Sequence, residues 1–207
     1  FVVVDKDHAR VSAVELDAYR ADAPALHGDA RDTGLLTLAD TLPSPTRQAR
    51  ALEALETQHH FEPEVLERLT SLAKQDAPAP AVALHAVRTI GRVMENDFRR
   101  TGRFEPYMAR LLEVAQHSTD ANVRSLAVEM GTYPHVRWSG ALVEGLAQRM
   151  REDPSPGVRE MAALALSSGR DTQAVLEHFR AAFPVERERC VRWALVRYAV
   201  RAAGERA

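Results

Sequence analysis

FEPEVLERLTSLA, residues 61–73, returns with little change as FEPYMARLLEVA, residues 104–115, 43 positions further on. Both phrases read as helices. Pro63 suits a first helical turn, where no N–H donor is needed, and Glu62 brings an acid to the positive end of the helix. Val65, Leu66, Leu69, Leu72 and Ala73 then recur at steps of three and four, which makes one apolar stripe. Met108, Leu111, Leu112 and Ala115 repeat the stripe, so Leu69 and Leu112 are expected in a shared core.

Another apolar helix precedes each copy: TRQARALEAL (46–55) before the first and VALHAVRTIGRV (82–93) before the second. The unit is helix, turn, helix, with a period near forty residues. One such pair cannot bury its apolar face alone, so the period implies stacking on a neighbour. DANVRSLAVEMG (120–131) leading to SGALVEGLAQRM (139–150), and DPSPGVREMAALALSSG (153–169) leading to TQAVLEHFRAAF (172–183), continue it. Val123-Arg124 and Val158-Arg159 fall 35 positions apart, at matching places in their helices. A last helix, 186–203, has no helix after it in this sequence. Ahead of the repeats, VSAVELDAYRADA (11–23) and TGLLTLADTL (33–42) read as a degenerate capping pair, with APALHG turning between them.

The pattern D-P-x-x-x-V-R-x-x-A-x-x-A-L, carried by Asp153, Pro154, Val158, Arg159, Ala162, Ala165 and Leu166, resembles the HEAT repeat. The resemblance spans Leu42 to Ala203 and is strongest in the fourth unit. It implies an all-α fold, a right-handed α-solenoid of about four to five antiparallel helix pairs. Residues 1–41 form the lead and capping repeat; residues 42–207 hold repeats at about 44–75, 80–117, 120–151, 153–183 and 186–203. It also implies an inter-repeat ladder, to which Asp120 with Arg124 and Asp153 with Arg159 would belong. The first two units lack the Val-Arg pair; Arg47-Gln48 and Val82-Ala83 stand near its place.

Composition narrows the function. The 207 residues carry a formal net charge of −2, against the basic excess usual in nucleic-acid binders. Of 27 basic residues only Lys6 and Lys74 are lysine, an arginine skew that points to a GC-rich bacterial genome. Cys190 is the single cysteine, which excludes an internal disulfide and a cysteine metal cluster. Its place in RERCVRWALVRYAV (187–200) reads as a packed, inert thiol. The opening FVVVDKDH reads either as the stump of a signal or membrane segment upstream of Phe1 or as a short strand or lead. The bacterial cytoplasm is the favoured compartment, with export or a membrane anchor as the alternatives.

The sequence holds no HExxH, GxSxG, GxGxxG or P-loop motif. His59 and His60 adjoin Glu62 and Glu64, but adjacent histidines diverge on any regular backbone, so a solvated turn is the expected reading. His117, His135 and His178 are isolated. No catalytic residue, metal or cofactor is therefore assigned, and a non-enzymatic scaffold that binds a protein or peptide is expected.

Two features are candidates for the binding surface. ENDFRRTGRF (95–104) reads as a long basic loop, offering Phe98, Arg99, Arg100 and Arg103. On the last helix, Val191, Leu195, Tyr198 and Ala202 share one side while Trp193, Val196 and Val200 form a second strip, with Arg192, Arg197 and Arg201 beside it. That strip suits a partner or a second copy of the chain. Second helices of the pairs add Arg110 and Arg149 to a wall of mixed charge. The competing reading is nucleic-acid binding, since RCVRWALVRYA (189–199) faintly resembles a helix of the HEAT-like alkylpurine DNA glycosylases. Those enzymes set tryptophans beside a catalytic aspartate, whereas Ser139 and Gly140 follow Trp138 and no aspartate stands near Trp193.

Overall fold

The two Phe-Glu-Pro phrases do open helices. α2 (Pro63–Lys74) and α4 (Glu105–His117) both begin within two residues of a buried phenylalanine, Phe61 or Phe104. The structure, a computed structural model, describes residues 36, 37, 39, 42, 44–74, 80–132, 140–169 and 171–204, and the regular structure among them is all helical. Of the expected capping pair, only Leu36, Thr37, Ala39 and Leu42 are described, the first three of them helical; VSAVELDAYRADA, APALHG, the opening FVVVD, His135 and Trp138 lie outside the described residues. No described helix is long and apolar enough to cross a membrane. The chain divides into two compact units, Phe1–Arg103 and Phe104–Ala207.

In the first unit, α1 (Pro45–Glu53) and α2 both pack on α3 (Pro80–Thr101). Val82, Ala86, Val87, Ile90, Val93 and Met94 line its buried faces. Two polar side chains on α3 reach backbone carbonyls at and after the end of α1. The buried Thr89 hydroxyl donates to Leu52 O (3.2 Å), and Asn96 Nδ2 donates to Glu56 O (3.1 Å) and Gln58 O (2.8 Å).

Because α3 runs to Thr101, the expected long loop at 95–104 is instead its last two turns. Charged side chains hold those turns: Glu95 pairs with Arg92 and Arg99, and the buried Asp97 accepts from Thr101 Oγ1 (2.6 Å) and Arg103 Nη2 (3.2 Å). The helix stops at Gly102, whose φ of 78° only glycine adopts without strain; its N–H donates to Phe98 O (2.9 Å).

The second unit holds α4, α5 (Ala121–Met130), α6 (Ala141–Glu152), α7 (Pro156–Leu166), α8 (Thr172–Ala182) and α9 (Arg189–Gly204). α5, α7 and α9 pack in one row, α4, α6 and α8 in another. Extensive contact between consecutive helices joins α4 with α5, α6 with α7, and α8 with α9. The segments 118–120 and 153–155 are short, which sets their flanking helices side by side. These neighbours are one helix out of step with the sequence pairs 120–151 and 153–183. α7 lies between α5 and α9, and its Ala162, Ala163 and Ala165 are fully buried, so small side chains permit the close approach. On the other row, a methyl placed on Gly145 of α6 would run into the Leu112 side chain of α4.

Leu112 therefore lies at the α4–α6 contact and is only half-buried, while Leu111 fills the core position beside it. Leu69→Ala and Leu111→Ala should each cost about 2 to 5 kcal/mol in urea denaturation, and Leu112→Ala distinctly less than Leu111→Ala. Equal losses at positions 111 and 112 would refute this assignment of the α4 faces.

Candidate partner-binding surface

Two arginine forks, one buried and one part-buried, set the frame that carries the candidate surface. Arg124 of α5 donates from Nε to Asp153 Oδ2 and from Nη2 to Asp153 Oδ1, both at 2.9 Å. Its Nη1 turns back to Ser118 O (3.1 Å) and Thr119 O (2.8 Å). The side chains are 8% and 0% exposed, so this is a buried ion pair with its donors engaged. Arg159 of α7 repeats the arrangement one step on. Nε and Nη2 reach Glu186 Oε2 (2.7 Å) and Oε1 (3.0 Å), and Nη1 returns to Asp153 O (2.8 Å).

Both bonds reach across the sequence, over 29 residues for Arg124–Asp153 and 27 for Arg159–Glu186. Each arginine takes an acid from the turn beyond the next helix, so Arg124 of α5 meets Asp153 after α6 and Arg159 of α7 meets Glu186 after α8. Asp120 instead caps its own helix, accepting from Asn122 N (2.7 Å) and Val123 N (3.1 Å). Glu186 had no sequence signal; it sits in an alternating run of glutamate and arginine. Its oxygen Oε1 also accepts from Arg187 N (2.9 Å) and Glu188 N (2.8 Å), at the entry to α9. Burial pushes the Glu186 carboxyl up, but the Arg159 guanidinium and these backbone donors outweigh it and hold the group below its ordinary value. The hydrogen bond to Glu186 holds the Arg159 proton above its ordinary value against burial.

From this frame α9 turns Val191, Ala194, Leu195 and Ala202 inward and leaves Trp193 (67%), Val196 (44%) and Val200 (67%) exposed. Beside the strip, an open groove of about 400 Å³ is floored by Leu176, Phe179 and Phe183 and edged by Arg180. A second, of about 530 Å³, shares Phe183 and Val196 and is edged by Arg187, Arg189 and Arg192. Arg192 lies over the Phe183 ring at 4.7 Å, and Arg197 over Tyr198 at 5.7 Å.

The other candidates sit elsewhere. Phe98, Arg99, Arg100 and Arg103 belong to the first unit, with Arg99 and Arg103 tied to Glu95 and Asp97. Arg110 pairs with Glu113 (2.9 Å). Arg149 is not on an exposed wall: its side chain is 15% exposed and turns toward Asp153 (3.6 Å). Trp193, Arg197 and Arg201 share α9. Cys190 is exposed, not packed, because it falls on the outward side of the first turn of α9. His60 contacts Glu62 (3.3 Å), and His178 lies between Glu144 (3.3 Å) and Arg151 (3.4 Å). No group of three or more metal-ligating side chains occurs among the described residues.

Removing one side of the buried pair should be severe. Asp153→Ala should cost about 3 to 5 kcal/mol, with strong coupling to Arg124→Ala in a double-mutant cycle; additive losses would refute a shared bond. The second pair predicts a pH dependence. With the folded Glu186 pKa lowered, its contribution is complete above the ordinary value of 4.5 and is lost as pH falls through the folded value. Glu186→Gln should therefore be less stable than wild type at neutral pH, and the gap should narrow in acid. A gap that stays constant down to acid unfolding would refute it.

Compared with known proteins, the sequence matches no family model and no curated protein.

Proposed function

We propose that the chain is a HEAT-like repeat scaffold, its helix pairs stacked as a solenoid, that binds a protein or peptide and carries out no chemistry of its own. The observation that carries this reading is the exposed strip of Trp193, Val196 and Val200 beside an apolar groove, on a helix whose opposite side is fully engaged. Large apolar side chains gathered in water mark a binding surface more often than an enzyme pocket when no titratable cluster converges on them. The two arginine forks and the two rows of helices support a repeat architecture, in which the α6–α7 and α8–α9 turns each hand an acid to an arginine two helices earlier. Such a frame suits a surface that holds its shape while a partner docks.

Panning a displayed peptide library against the full chain tests the reading. Enriched peptides should bind saturably, one per chain, by titration calorimetry. Failure to enrich any peptide, together with retention of DNA that persists at physiological salt, would overturn it in favour of nucleic-acid binding.

A further inference from the structure

We infer that the outer face of α9, with the groove at Phe183, docks an acidic amphipathic helix of a protein partner; this rests on the scaffold reading above and names the partner's chemistry. The apolar part of the argument is geometric. Trp193, Val196 and Val200 follow steps of three and four, so they form one stripe about 10 Å long on α9. Both grooves meet at Phe183 and Val196, which puts the stripe and the α8 floor on one continuous apolar surface. A helix laid there can seat side chains at i, i+3, i+4 and i+7.

Charge selects the occupant. Residues 180–204 carry six arginines and two glutamates, in a chain whose net charge is −2. One of the two glutamates, Glu186, is already held by Arg159. On other surfaces Arg50, Arg88, Arg92, Arg99 and Arg110 each face a carboxylate. Arg180, Arg187, Arg189 and Arg192 around the grooves, and Arg197 on α9, face none among the described residues. Two of these guanidinium groups rest on aromatic rings, which fixes part of the rim before any partner arrives.

A second copy of the chain would set one arginine rim against another, a repulsive arrangement in a twofold pair. A phosphate backbone would satisfy the rim but leave Val196 and Val200 without apolar contact. An acidic helix with one apolar face satisfies both parts.

The probe is a fluorescein-labelled helical peptide of roughly 18 residues, long enough to cover the stripe, with leucines at i, i+3, i+4 and i+7 and glutamates on the remaining faces. It should bind the full chain in an anisotropy titration and weaken as salt is raised. Trp193→Ala, and separately Arg189→Glu with Arg192→Glu, should each weaken it at least about tenfold, with thermal melts that match wild type because these side chains are exposed. A lysine peptide with the same leucines should not bind. Equal binding of the lysine peptide or of a scrambled acidic peptide would overturn the proposal. So would association with phosphatidylglycerol vesicles in the absence of peptide binding. If library-selected peptides still bind these variants at full strength, the docking site is wrong while the scaffold reading stands; if neither they nor the acidic peptide bind, both fail.

Discussion

The second unit depends on burying a guanidinium where every donor group has somewhere to go. Arg124 can leave water because Asp153 takes Nε and Nη2 while Ser118 O and Thr119 O take Nη1. Those acceptors belong to two different turns. The arginine is satisfied only when the α4–α5 turn and the α6–α7 turn stand at one separation, so the ion pair acts as a gauge of helix register. An ion pair of this kind adds little net stability over a well-packed apolar pair, but breaking one side is costly, and that asymmetry specifies position. Lysine could not serve here. Its ammonium has no planar fork to span a carboxylate and a carbonyl pair together.

Much of this frame was legible in the sequence, because the residues that form it also set the local pattern. Val158, Arg159, Ala162, Ala165 and Leu166 alternate with a helical period, and the short Asp-Pro turn before them announces the start of α7. The acid partners were harder to read. An aspartate just before a helix can cap its own first turn or reach another arginine, and the same sequence signal precedes both. Asp120 does the first; Asp153, at the end of α6, does the second while also accepting from Ser155 N (2.9 Å). Glu186 lies among charges of both signs, where spacing distinguishes nothing.

The misread segment at 95–104 shows a different limit. Apolar periodicity fades after Met94, which resembles the end of a helix. The helix continues because Glu95 and Asp97 turn inward and are met by Arg92, Arg99, Thr101 and Arg103, and because Asn96 ties it to the turn after α1. Side-chain pairs at three and four residues do what leucines do elsewhere. The exposed strip of α9, by contrast, follows angular projection: apolar residues stand on two sides of the helix, and among the described residues one of those sides packs on α7 and α8.

That last point follows from the place of α9 in its row. α7 packs on both α5 and α9, and its Ala162, Ala163 and Ala165 are buried. α9 packs mainly on α7 and α8 among the described helices, and it carries Trp193, Val196 and Val200 facing out. The Arg159–Glu186 bond fixes the turn that launches α9, and Glu186 Oε1 accepts from the N–H groups of Arg187 and Glu188 just ahead of the helix. The register gauge that orders the interior therefore also aims the outward face. A surface positioned by a two-point fork meets its partner with little left to order, so more of the contact energy remains as affinity.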